Sequence, residues 1–209
     1  MKWPLRGPGW LGVTVWVVLA LPVSRHLLES GMLLHMLVQL PLLAVCGWCV
    51  AVTVPFRSSQ ALAAWNHRGI SGLLLASLVA LVWMLPLGLD AAIVDWRVEL
   101  AKFLTVPVLL GMALTISWPR AGFVVRGLVL SEAVAMCFRI GWLYLAAPTR
   151  LCANYRIDEQ QLLGKALIML GALTLAVLAL KLLVGHVVVN PVCDVVETEN
   201  PLENRKPER

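Results

Sequence analysis

The chain has 209 residues, of which 60% are hydrophobic and only 14% charged, whereas soluble domains carry about 25% charged residues. A single water-soluble core cannot hide that much apolar surface, so a soluble globular protein is excluded as the main architecture. The formal net charge of +5 calls for no nucleic-acid partner, because basic flanks are expected of a chain that lies in a lipid bilayer.

A helix that crosses the hydrocarbon core needs about 20 mostly apolar residues. Runs of that length occupy residues 9–28, 31–54, 70–91, 100–118, 122–147 and 164–186. They predict an all-α, polytopic bundle of about six transmembrane helices over residues 1–189, followed by a polar tail, residues 190–209, whose charge and proline content read as disordered. Short polar segments such as Arg57-Ser58-Ser59-Gln60 and Trp118-Pro119-Arg120 separate the runs. No internal repeat and no second, water-soluble domain are read from the sequence. Lys2 and Arg6 before the first run also fit a signal peptide, but Ala20-Leu21-Pro22-Val23-Ser24 offers no convincing small-x-small cleavage site, so the first run is expected to stay as a helix.

With the N-terminus inside, cytoplasmic segments hold Lys2, Arg6, Arg57, Arg68, Arg120, Arg205, Lys206 and Arg209. The opposite face holds Arg25, Arg97, Lys102, Arg150, Arg156 and Lys165. The small excess favours both termini in the cytoplasm and a multi-pass protein of the cell inner membrane. Cys46, Cys49, Cys137, Cys152 and Cys193 do not form the spaced framework of a small disulfide-stapled domain.

Polar side chains within apolar runs carry the functional information, because each is costly in lipid and must turn towards protein or a cavity. In the second run, Met32, His35, Gln39, Leu42, Cys46 and Cys49 recur at spacings of three and four and share one helical stripe. Thioether, thiol and imidazole together suit copper(I); the structural alternative is an interhelical hydrogen bond from His35 and Gln39, with the sulfurs packed as soft hydrophobes. Cys46-Gly47-Trp48-Cys49 is a C-x-x-C outside any thioredoxin-like context, and Cys46 lies about 16 Å along the helix from His35, too far to share one metal. In the third run Pro86 predicts a kink, and Asp90 reads as a boundary charge, with Asp95, Arg97, Glu99 and Lys102 in the loop that follows. In the fifth, Glu132 and Arg139 stand nearly two turns apart on one side; they suggest an ion pathway or a structural ion pair. Alternating helix directions bring Met32, His35, Met84, Asp90, Glu99, Cys152, Tyr155, Glu159, Gln160 and Gln161 to one membrane face.

Three segments, in the same order, resemble the CtaG-type assembly factors associated with caa-type cytochrome c oxidases. His35-Met36-Leu37-Val38-Gln39-Leu40 is similar to the family's His-Met-Leu-Gln-His run. Met84-Leu85-Pro86 with Leu89-Asp90-Ala91-Ala92 resembles a His-x-Pro followed by Tyr-Asp-x-Ala. Glu159-Gln160-Gln161-Leu162-Leu163-Gly164 with Leu167-Ile168-Met169 resembles an Asp-Gln-Gln-Leu-x-Gly-x-x-x-Met opening of a late span. Gln39 stands where the family has a second histidine, Met84 where it has another, and the chain is shorter than the usual seven-span member. The resemblance implies a factor that aids copper insertion into a haem-copper oxidase, with oxidase subunits and the lipid bilayer as partners and a homo-oligomer left open. His35, Met32, Met84 and Met36 are the candidate copper(I) contacts. No nucleophile–base pair, phosphate loop or HExxH motif points to an enzyme. The alternatives are a small transporter using Glu132 and Arg139, or a structural membrane subunit whose metal ligands have decayed.

Overall fold

The computed structural model describes residues 8–53 and 64–183. Among them are eight helices: α1 (Pro8–Ala20), α2 (Pro22–Glu29), α3 (Met32–Thr53), α4 (Ile70–Met84), α5 (Pro86–Val94), α6 (Trp96–Arg120), α7 (Phe123–Ala146) and α8 (Ile157–Leu183). The Arg57–Gln60 linker, Cys193 and the tail from 190 lie outside the described residues. The described residues up to Leu173 form one compact unit, and those from Thr174 on, the end of α8, belong to a second.

The fold is all-α and membrane-spanning. Helices α3, α6 and α8 are each long and apolar enough to cross a bilayer, and α1–α2 and α4–α5 qualify as spans bent by 74° and 69°. Helix α7 is as long, at 24 residues, but carries Arg126, Glu132 and Arg139. It runs antiparallel along α8, where Gly141 and Gly164 let the backbones touch: a methyl on either would lie 2.9 Å from the other's carbonyl oxygen. It therefore lies alongside a helix long and apolar enough to cross the bilayer.

Proline explains both bends. It lacks an N–H and collides with the carbonyl four residues back, so the expected kink occurs at Pro86, and a second that the sequence reading did not anticipate occurs at Pro22. Helix α6 starts at Trp96, earlier than expected, because Asp95 caps it by accepting a hydrogen bond from the Arg97 N–H at 2.8 Å. Glu99 and Lys102, expected in a loop, are thereby helical and buried. Likewise α8 starts at Ile157, where Asp158 and Glu159 favour a helix N-terminus.

Contrary to the sequence reading, the first half of the chain contains a repeat. A bent span followed by a straight one occurs twice, at a constant offset of 64 residues: Ala20 and Met84 end the first arms, Pro22 and Pro86 start the second arms, and Met32 and Trp96 start the straight helices. The units share little sequence beyond Leu21-Pro22 with Leu85-Pro86 and Gly47 with Gly111, which is why the duplication is hard to see in the chain itself. Those glycines are where the units meet. Helices α3 and α6 run parallel and cross backbone to backbone, so that a methyl on Gly47 would sit 1.9 Å from the Pro107 carbonyl oxygen and one on Gly111 2.2 Å from that of Ala44.

Each straight helix also contains a π turn, His35–Gln39 in α3 and Val106–Met112 in α6. Pro107 cannot donate to the carbonyl of Phe103. The indole Nε1–H of Trp16 on α1 donates to it instead, at 2.9 Å. Because the α3–α6 crossing leaves no room for a side chain, Gly47→Val should cost about 1–3 kcal/mol in detergent unfolding titrations, while Gly122→Val, with open space around its Cβ, should leave the midpoint nearly unchanged.

Candidate functional site

At one end of the bundle, α2 and α6 present charges in matching order. Arg25 and Glu29 lie one turn apart on α2, Glu99 and Lys102 one turn apart on α6, and they pair crosswise: Arg25 with Glu99, and Lys102 Nζ with Glu29 Oε1 at 2.8 Å. Lys102 has 1% of its side chain exposed. Its ammonium has three protons to donate and three acceptors around it: Glu29 Oε1, His35 Nε2 at 3.0 Å and Gln39 Oε1 at 3.3 Å. The Gln39 amide closes a ring by donating to Glu29 Oε1 at 3.2 Å.

The ammonium fixes the state of His35. An ammonium only donates, so Nε2 accepts, and Nδ1 carries the proton of a neutral imidazole. That N–H donates to the Tyr155 hydroxyl at 2.9 Å, and the hydroxyl donates to the Glu29 carbonyl oxygen at 3.0 Å. Glu29, His35, Gln39, Lys102 and Tyr155 thus form one directed network in which the three ammonium protons of Lys102, the Nδ1 proton of His35 and the Tyr155 hydroxyl proton each have an acceptor. The π turn aids this, since widening the helix at His35–Gln39 turns both polar side chains to full burial.

Around this network lie the three segments singled out above. The Met32 N–H donates to Glu159 Oε2 at 3.4 Å, and Tyr144 Oη donates to Met36 Sδ at 3.7 Å. Gln160 accepts from the Leu151 N–H and donates to the Tyr144 carbonyl, at 3.0 and 3.1 Å. Asp90 accepts from the Ala153 and Asn154 N–H groups and from the Asn154 side chain. The Cys152 thiol donates to the Pro86 carbonyl at 3.6 Å. The sequence reading placed these residues on one face, and the hydrogen bonds join them there.

Met32, Met36 and Met84 pack in one apolar cluster with Leu89, Tyr144, Cys152 and Tyr155, so the thioethers chosen from sequence do come together. His35 does not fit as a metal ligand beside them. Both its nitrogens have protein partners, and any cation at Nε2 would face the Lys102 ammonium 3.0 Å away. Among the described residues no three His, Cys, Asp or Glu side chains converge as a metal site. The soft set that remains is Met32, Met36, Met84 and Cys152.

Glu29 and Lys102 are the residues that sequence reasoning missed. Lys102 was assigned to the membrane flank, and Glu29 was not singled out. The available signal was the charge order itself, Arg25-x-x-x-Glu29 against Glu99-x-x-Lys102. Glu132 and Arg139 are far from this network in the fold and pair with each other on α7, with 53% and 63% of their side chains exposed. An apolar groove of about 1080 Å³ walled by α3, α4, α6 and α7 reaches Glu132, which is the one ionisable residue lining it. Comparison with protein-family models, curated proteins and solved structures finds no match.

Two outcomes follow from the network. Lys102→Met should cost about 3–5 kcal/mol, because it strands a buried carboxylate; the Glu29→Gln/Lys102→Met double variant should recover much of that loss in a double-mutant cycle of detergent unfolding. Purely additive losses would show that the two residues do not act as a pair. At Cys152, burial first and the nearby Asp90 carboxylate second push the thiol up to about 11. Since only the thiolate reacts, its alkylation followed by peptide mass spectrometry should be about 100-fold slower than that of an ordinary thiol at pH 8, rising about tenfold per pH unit.

Proposed function

We propose that the chain is a membrane assembly factor that aids copper insertion into a haem-copper oxidase. The observation that carries this reading is the convergence of the three segments of the resemblance, which lie far apart in sequence, into one hydrogen-bonded assembly around a cluster of methionines. Alternating helix directions alone bring the segments to one face; the Met32–Glu159 hydrogen bond and the shared packing of Met32, Met36 and Met84 join them there. The thioethers of Met32, Met36 and Met84 are soft donors suited to copper(I). The buried network beside them acts as scaffold: it fixes α2, α3, α6 and the α7–α8 loop relative to one another.

The orientation that fits this role has both termini in the cytoplasm, in the cell inner membrane, with the methionine cluster at the extracytoplasmic end. The small excess of Lys and Arg on the inner face supports it.

A second reading, a structural membrane subunit without metal, is favoured by the engagement of both His35 nitrogens. Transport is not favoured. Repeat-built transporters hold their substrate between the repeats, and here that interface is closed by Gly47 against Gly111. Metal analysis of the purified protein loaded with copper(I) under reducing conditions separates the first two. Stoichiometric copper that is lost in Met32→Leu/Met84→Leu and retained in His35→Gln is expected for the assembly factor. No copper in the parent, together with normal copper content of the oxidase in cells lacking the chain, would overturn it in favour of the structural subunit.

A further inference from the structure

Helix α7 presents to its surroundings a face that lipid alone does not suit. Val124, Leu128 and Trp142 on this face are 80%, 68% and 69% exposed, as expected of residues that meet acyl chains. Between them lies Arg139, 63% exposed, with Glu132, 53% exposed, at the edge where this face meets the apolar groove. Their depth is set by packing: Cys137 and Phe138 touch Gly171, near the middle of the spanning helix α8. An exposed ion pair at mid-depth is costly in hydrocarbon, and such pairs normally turn to a protein interior. The same face carries Gly127, Ser131 and Ala135 at intervals of four, with open space around the Gly127 Cβ. That spacing is the one through which membrane helices approach each other closely.

We infer that this face of α7 binds α7 of a second copy of the chain, in a parallel, two-fold symmetric dimer closed by Glu132 and Arg139. The intrahelical pair identifies the partner. Arg139 folds back seven residues to reach Glu132, its Nε also donating to the Ala135 carbonyl at 3.3 Å, so guanidinium and carboxylate lie at one depth. Two copies inserted in the same orientation, related by an axis along the membrane normal, bring two carboxylates and two guanidiniums together at that level. Each guanidinium, with five N–H donors in a planar fork, then bridges its own carboxylate and the partner's, and the four charges alternate in sign around the axis. The stripe of small residues allows the helices close enough for this ring to form and to exclude lipid. A partner helix without polar groups would leave the pair unsatisfied, and one with a single charge would leave an excess.

The test uses the full-length chain in its native membrane. Under mild oxidation Ser131→Cys should crosslink to a second copy, read as a dimer carrying both of two co-expressed epitope tags, while the parent and Leu162→Cys, exposed on α8, should not. Ser131→Ile, which only adds bulk to the exposed face, should shift the protein in native-lipid discs from dimer to monomer by light scattering with its helix content unchanged. Glu132→Arg and Arg139→Glu should each abolish the dimer, and the exchange of both should restore it. A parent that is monomeric in the discs, a Ser131→Cys variant that crosslinks no more than Leu162→Cys, or one that crosslinks to a different polypeptide would overturn the inference.

Discussion

One ammonium group organises the end of this molecule. A lysine buried to 1% exposure is tolerable only if its charge is matched and each of its protons has an acceptor. Meeting that demand draws in α2 through Glu29 and α3 through His35 and Gln39; His35, once its Nε2 is fixed as an acceptor, reaches the α7–α8 loop through Tyr155. Helix–helix contact in lipid has no hydrophobic driving force of its own. Directed hydrogen bonds of this kind specify which helices adjoin and in what register. They also explain why the one histidine that looked like a copper ligand is better described as a joint between elements.

The repeat gives a different view of the same network. Two units with nearly equal bends and equivalent crossing glycines form a scaffold with internal symmetry, yet the chemistry laid on it is unsymmetrical. Sixty-four residues from Glu29, Lys102 and Arg25 stand Ile93, Val38 and Leu89, and the counterpart of His35 is Glu99. The backbone pattern is duplicated and the polar residues are not, so the bonds that hold the units together join unlike positions.

Much of the fold was legible in the sequence because the bilayer is a demanding solvent. The apolar runs located the spans, and Pro86 announced its own bend. Pro22 did not, since the run around it read as one helix. Helix starts were misplaced at Trp96 and Ile157, where polar residues that look like loop are a cap and a charged first turn. The gathering of the three resembling segments at one face could be deduced from the alternation of helix directions. The role of Lys102 could not, because a cation near a span end is usually a flank charge. Only its register against Glu29, set by the meeting of α2 and α6, shows that it is interior. Gly47 and Gly111 looked unremarkable in sequence for a related reason: the cause of their small size is a backbone on another helix.

The crosswise pairs also impose an order on the protein's birth. Arg25 and Glu99 are 74 residues apart, and Glu29 and Lys102 are 73. At the usual pace of synthesis the first members therefore wait about 4–15 s for their partners to be made. During that interval the cation and the anion of α2, one turn apart, have only each other, and Trp16 has no Phe103 carbonyl to bind. The bend at Pro22 lets the growing chain meet this delay: the apolar arm α1 can enter the bilayer at once while the charged arm rests at its surface. The nascent protein is in this sense an open clasp, closed only when α6 arrives.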